Sequence, residues 1–323
     1  MFPMDLQILA IPAFILGVVL LWKGSDMLVD GVSKTAAQLG ISTLIISVLF
    51  VGFGTSSPEF AISVGAAVEK HSAISLGNII GSCVANLLLV LGISSLIRPI
   101  KVQGGIIKRE MPILLVATTI LIVFSALSLL DRYHLIGGIL FLIFFLLFVL
   151  FFVHCAKKER DNNHKIETGK TARNIFFIML GIILVIGGAW LLIESATTLA
   201  ALLKISPFVI ALSMVAIGTS LPELVVSVVA AFKGKADIAI GNVLGSNVFN
   251  ILLILGFAAL FIPLGAIGSM DNLLILLAVT LIMAPICYSK HTISRIEGLI
   301  LLVLYSIYIW YIFAGQEIIL NML

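Results

Sequence analysis

Two acidic side chains, Glu59 and Glu223, stand in the middle of apolar runs long enough to cross a lipid bilayer. An ionised carboxylate at that depth is costly unless a cation, a partner or a water-filled cavity compensates it, so intramembrane acids mark functional sites. Each acid closes the same string: Gly54-Thr55-Ser56-Ser57-Pro58-Glu59 and, 164 positions later, Gly218-Thr219-Ser220-Leu221-Pro222-Glu223. The glycines, Gly52 among them, and the prolines weaken the helix and release backbone carbonyls toward the interior, where they can act as ligands. Thr55, Ser56, Thr219 and Ser220 add hydroxyls, and Ser82, Asn86, Ser246 and Asn250 add oxygens from neighbouring runs. Every donor is a hard oxygen, which suits Ca²⁺ or Na⁺ and argues against zinc, copper or iron. Two carboxylates balance one Ca²⁺ or two Na⁺ but not both loads, so the ions compete. A carrier that crosses only when its acids are neutralised then exchanges one ion for the other. If neutral oxygens hold a third Na⁺, each cycle moves net charge.

The elements that must position these groups are apolar helices. The chain has 323 residues, 61% hydrophobic and 11% charged, a balance that excludes a soluble fold. Ten apolar runs follow one another at about 6–23, 41–68, 72–97, 112–130, 134–154, 174–200, 205–232, 236–262, 272–288 and 295–316. Of the 19 basic residues only Lys70, Arg132 and Lys204 fall in loops assigned to the outside, so both termini are expected to be extracytoplasmic. The 164-residue offset also aligns Gly77-Asn78-Ile79-Ile80-Gly81-Ser82 with Gly241-Asn242-Val243-Leu244-Gly245-Ser246, and Asn86 with Asn250. Five spans separate the two copies, an odd number, so equivalent segments cross in opposite directions, as in alternating-access transporters. The expected fold is all-α and polytopic: ten transmembrane helices in two inverted five-helix repeats, with broken helices at the ion site. The first half covers 1–153 with its repeat at 41–98, and the second covers 174–323 with its repeat at 205–262. The charged stretch 154–173 between them reads as a solvated cytoplasmic linker.

Other polar residues receive blander readings. Asp26 and Asp30, after the first run, are assigned to interfacial helix capping. The three cysteines, Cys83, Cys155 and Cys287, are too scattered for a disulfide framework or a zinc site. All five histidines lie in loops or at span ends, which leaves no base for an intramembrane hydrolase.

The paired GTSxPE strings, each followed by GNxxGS and a downstream Asn, resemble the repeats of the cation/calcium antiporter superfamily, specifically its prokaryotic sodium/calcium exchangers. The resemblance spans essentially the whole chain. It implies an antiporter of the cell (inner) membrane that exchanges Na⁺ for Ca²⁺, electrogenically and by alternating access, with the first and sixth spans sliding over a rigid core. By that resemblance Glu59 and Glu223 chelate Ca²⁺ with the carbonyls of Thr55 and Thr219. Ser56, Ser82, Ser220 and Ser246, with carbonyls near Gly52 and Ala216, complete flanking Na⁺ sites, and Asn86 and Asn250 line the centre. No cofactor, nucleic acid or obligate protein partner is implied; the partners are Ca²⁺, Na⁺ and the bilayer. Asn250 stands where many relatives of this group carry an aspartate. Proton/calcium antiport is the alternative, although Ile79-Ile80 and Val243-Leu244 occupy the places where such relatives carry an acid. A cation channel is the rival from another class.

Overall fold

The computed structural model of the chain describes residues 9–162, 171–203, 218–265, 270–288 and 291–322. Helix α1 (Ala10–Leu39) ends at Gly40, whose positive φ of 68° lets its N–H turn back to the Ala36 carbonyl. Next come α2 (Thr43–Thr55) and α3 (Ser57–Val68), apolar limbs that meet at a 48° bend. Ser42 caps α2 by accepting from the Ile45 N–H. Helix α4 (Ser72–Ile97) is followed by a π-helical turn, Ile106–Glu110, that leads into α5 (Met111–Ala126). Then follow α6 (His134–Asn162), α7 (Thr171–Leu202), α8 (Leu221–Phe232), α9 (Ala236–Ala259), α10 (Met270–Tyr288) and α11 (Arg295–Met322). Among the described residues seven helices are long and apolar enough to cross a membrane, or eight if the bent α2–α3 pair is counted as one span. The chain is a predominantly helical, multi-pass membrane protein.

Burial sorts these helices into a centre and a rim. The most apolar window of α9 is 94% buried and that of α4 78%, against 28% for α1, α6 and α7. The rim helices instead turn large apolar side chains such as Ile11, Ile183, Trp190 and Ile296 outward, as lipid contact requires. Helices α1 and α7 form a pair of their own, joined through glycines. A Cβ on Gly17 would stand 2.8 Å from the Leu192 nitrogen, and one on Gly24 would stand 2.9 Å from the Val185 nitrogen. As the numbers rise along α1 they fall along α7, so the two helices are antiparallel. Small residues allow this approach because, with lipid outside, close van der Waals packing is what holds helices together.

One expectation needs correction. The first helix does not end near Lys23 but continues to Leu39, so Asp26 and Asp30 lie within it and cap nothing. They face Lys233 instead, whose Nζ is 2.6 Å from an oxygen of each. Of the charged stretch 154–173 the described residues, to Asn162 and from Thr171, are helical. Within the helical fold Ile100–Lys101 pairs antiparallel with Thr292–Ile293, tying the loop after α4 to the loop before α11.

Candidate functional site

The centre of the molecule is the break between α2 and α3. Pro58 has no N–H to give to Gly54, four residues back, so the helix opens there, and Ser56 takes a bridge conformation with φ −79° and ψ 6°. Its counterpart Ser220, just before α8 and Pro222, has nearly the same angles, φ −84° and ψ 5°. Each of these turns places an acid in the first turn of the helix that follows, Glu59 in α3 and Glu223 in α8, and both side chains are fully buried.

The predicted residues are brought together. Ser56 donates to Glu223 Oε1 at 3.1 Å, so the turn that carries Glu59 touches the acid of the other half. Ser246 donates to the same oxygen at 3.2 Å and also lies 3.2 Å from the Gly52 carbonyl. The Thr55 hydroxyl sits 3.3 Å from that of Ser246, and its equivalent pair, Thr219 and Ser82, sits at 3.0 Å. Asn86 donates to Asn247 Oδ1 at 3.0 Å, within the π-helical stretch Asn86–Val90. Asn250, 164 positions on, lies in the π-helical stretch Phe249–Ile254. Such wide turns interrupt helices at functional positions. Ser220 is buried, and Ser57 only returns its hydroxyl to the Phe53 carbonyl. Ala216 lies outside the described residues.

Gly52 is required by the close approach of α2 to α9. A Cβ there would stand 2.8 Å from the Ser246 nitrogen and 3.0 Å from the Gly245 carbonyl carbon, backbone that cannot move aside.

Sequence reasoning missed the supports beneath these residues. Asn242 accepts from Thr55 at 2.9 Å and donates to the Glu223 carbonyl at 3.2 Å and to Ser227 at 3.0 Å. In the other half Asn78 accepts from Thr219 at 3.4 Å and donates to Ser63 at 2.9 Å. The signal was present: Ser63 and Ser227, like Asn78 and Asn242, are identical polar pairs at the 164-residue offset. Asn247 was also missed; it donates to the Cys83 carbonyl at 3.1 Å and so bridges α9 to α4.

What remains unsatisfied describes the chemistry. Both oxygens of Glu59, Oε2 of Glu223, Oδ1 of Asn86 and the whole amide of Asn250 are buried without a hydrogen-bond partner among the described residues. A buried acceptor left alone costs about 1–3 kcal/mol, and more when charged, so a cluster of them at the centre of a protein calls for a cation. No group of three or more His, Cys, Asp or Glu side chains that could hold a metal occurs among the described residues. The donors on offer are two carboxylates and neutral oxygens, the set that suits hard cations.

Comparison with known proteins gives the family. A sequence model of the family described as sodium/calcium exchanger protein matches residues 9–154 and 173–314. The chain belongs to the sodium/calcium exchanger family. As a prokaryotic member of the cation/calcium antiporter superfamily it is a membrane antiporter and not an enzyme. The exchanger is 33% identical over 343 residues to the sodium/calcium exchanger MaX1 of Methanosarcina acetivorans, with 93% of this chain and 97% of that relative covered. It is 33% identical over 303 residues to the inner membrane protein YrbG of Escherichia coli, with 88% and 90% covered. Among solved structures it resembles the sodium-calcium exchanger NCX_Mj soaked with 2.5 mM Na⁺ and 0.1 mM Ca²⁺, with a TM-score of 0.81, 33% identity, and 94% and 98% coverage. The same protein soaked with 10 mM Na⁺ and 10 mM Sr²⁺ gives a TM-score of 0.82 at 33% identity, with the same coverage.

Proposed function

We propose that this exchanger couples Na⁺ entry to Ca²⁺ exit, or the reverse, through a single cage between its two breaks, opened alternately to either side. The observation that carries this reading is the buried cluster of unpaired oxygens on Glu59, Glu223, Asn86 and Asn250. Ca²⁺ would take the two carboxylates together with the carbonyls of Thr55 and Thr219. Na⁺ would take Ser56, Ser82, Ser220 and Ser246 with the carbonyls near Gly52 and Ala216, and Asn86 and Asn250 would line the middle. Because two carboxylates offset one divalent or two monovalent cations, occupancy by one load excludes the other. A third Na⁺ on neutral oxygens would make each cycle electrogenic.

Two inverted repeats of five spans are part of the proposal. The 164-residue offset supports it, because it relates hydrogen bonds as well as letters: Thr55 to Asn242 and Thr219 to Asn78, Ser63 with Asn78 and Ser227 with Asn242. The same offset takes Gly17 to Gly181 and Gly24 to Gly188, on helices that run antiparallel. The matched segments 9–154 and 173–314 favour two halves joined by a short linker. Sliding of the α1–α7 pair over the buried centre would supply alternating access. The name of the Escherichia coli relative favours the inner membrane. The basic residues favour cytoplasmic loops on the linker side and external termini.

The test is calcium-isotope uptake into proteoliposomes under an imposed Na⁺ gradient, repeated with pH and K⁺ gradients and with the potential clamped. Uptake driven by Na⁺ and altered by the potential is expected. Uptake that follows only the pH gradient would make the protein a proton antiporter, and uptake indifferent to every gradient would make it a channel.

A further inference from the structure

Where α4 meets α9, each helix bonds to the other's backbone. Asn247 donates from Nδ2 to the Cys83 carbonyl at 3.1 Å, and the Cys83 thiol donates to the Asn247 carbonyl at 3.9 Å. The two residues stand 164 positions apart, so the repeat maps one onto the other, and both are fully buried. The contact is symmetric in position but not in chemistry. An amide offers a strong donor and a strong acceptor, whereas a thiol is weak in both roles.

The consequence falls on Asn86. A backbone carbonyl can only accept, so the Asn247 amide must aim its NH₂ group at Cys83 and its Oδ1 elsewhere. Asn86 Nδ2 donates to that Oδ1 at 3.0 Å. The Asn86 amide is thereby oriented in turn: its NH₂ group is engaged by Asn247, and its Oδ1 is left buried without a partner among the described residues. In the other half Cys83 holds the place of Asn247, with its thiol beside Asn250. Neither polar atom of the Asn250 amide is hydrogen-bonded among the described residues.

We propose that Asn247 is a positioning residue, which turns Asn86 so that it presents Oδ1 to the cation, and that Asn250, backed by Cys83, lacks such an orienting partner. The Cys83 carbonyl, Asn247 and Asn86 form a relay of fixed polarity. Reversed, Asn86 would show an NH₂ group to a cation and repel it. A residue behind a ligand that fixes its orientation sets metal affinity by about ten- to a hundredfold. The proposal rests on the cage reading, since Asn86 must be a ligand for its orientation to matter.

The experiment is calorimetric titration of the purified exchanger with Ca²⁺ in Na⁺-free detergent, arranged as a double-mutant cycle. Asn247→Leu, which removes both polar atoms and keeps the bulk, should weaken binding roughly tenfold or more. Asn86→Ala should weaken it as well, and the double variant should bind as Asn86→Ala does. Losses that add would overturn the proposal, because they would mean that Asn247 only holds α4 to α9. A gain of affinity tests the other half and cannot arise from misfolding. Cys83→Asn supplies the missing amide and should tighten Ca²⁺ binding several-fold, an effect that Asn250→Ala should remove. Unchanged or weaker binding in Cys83→Asn would refute the role given to Asn250. A wild type that binds no Ca²⁺ would instead sink the cage reading itself.

Discussion

Replacing Glu59 by glutamine and replacing Glu223 by glutamine remove the same charge from the same cage, yet the two changes undo different things. Glu223 Oε1 accepts two hydroxyl hydrogen bonds, from Ser56 and Ser246, whereas neither oxygen of Glu59 has a partner among the described residues. Breaking a buried charge pair costs about 3–5 kcal/mol, so either variant should weaken Ca²⁺ binding by more than about two orders of magnitude and abolish exchange. Their stabilities without ions should diverge. A hydrogen bond to a charged group contributes about 1.5–3 kcal/mol, roughly twice a neutral one, so Glu223→Gln should lose about 1–3 kcal/mol over its two bonds. Glu59→Gln breaks no hydrogen bond of the kind that Ser56 and Ser246 make to Glu223, so it should be the less destabilising of the two. Thermal unfolding in Na⁺- and Ca²⁺-free detergent, together with isotope flux, reads both quantities. Wild-type flux in either variant, or a larger destabilisation in Glu59→Gln than in Glu223→Gln, would refute the reasoning.

Four further outcomes follow from the contacts. Asn242→Ala breaks the bonds to Thr55, to the Glu223 carbonyl and to Ser227, and should destabilise by about 1–3 kcal/mol while weakening Ca²⁺ binding. Asn78→Ala should cost less, because its contact with Thr219 is 3.4 Å long; a calcium titration of both variants checks the order. Gly52→Ala drives a methyl group into the backbone of α9 and should cost about 1–3 kcal/mol in unfolding and most of the flux. Lys233→Gln releases Asp26 and Asp30 from the start of the α8–α9 loop; at partly exposed positions the stability change should stay below about 1 kcal/mol, while exchange rate changes as α1 slides more freely. Burial opposes the Lys233 ammonium, but the hydrogen bonds and charges of Asp26 and Asp30 outweigh it and hold its pKa above the usual lysine value. Its contribution is therefore complete below the unfolded-state value and is lost only as pH rises through the folded one, so a rate-against-pH profile should show the clasp intact at neutral pH.

The polar cluster around the two acids was readable in the sequence because its residues are written twice: Thr55, Ser56 and Glu59 recur as Thr219, Ser220 and Glu223 where surrounding apolar residues differ. The supports were legible by the same rule and were overlooked only because Asn78 and Asn242 sit inside a glycine motif that packing alone explains. The clasp was not legible: Lys233 lies more than two hundred positions from Asp26 and Asp30, and only the packing of α8 on α1 brings them together. The same pairing explains why α1 outruns its apolar stretch. Asp26 and Asp30, past Lys23, lie in the helix with Lys233 as their partner. The two-residue sheet at Ile100–Lys101 and Thr292–Ile293 is too short to leave any alternating pattern.

The most direct measurement is the position of a heavier calcium substitute. Crystals of the exchanger soaked in Sr²⁺ without Na⁺ should show one strong anomalous peak within about 2.3–2.8 Å of carboxylate oxygens of both Glu59 and Glu223. Raising Na⁺ in the soak should erase it. A peak bound by one acid alone, or one that persists undiminished in Na⁺, would contradict a shared cage in which the two loads exclude each other.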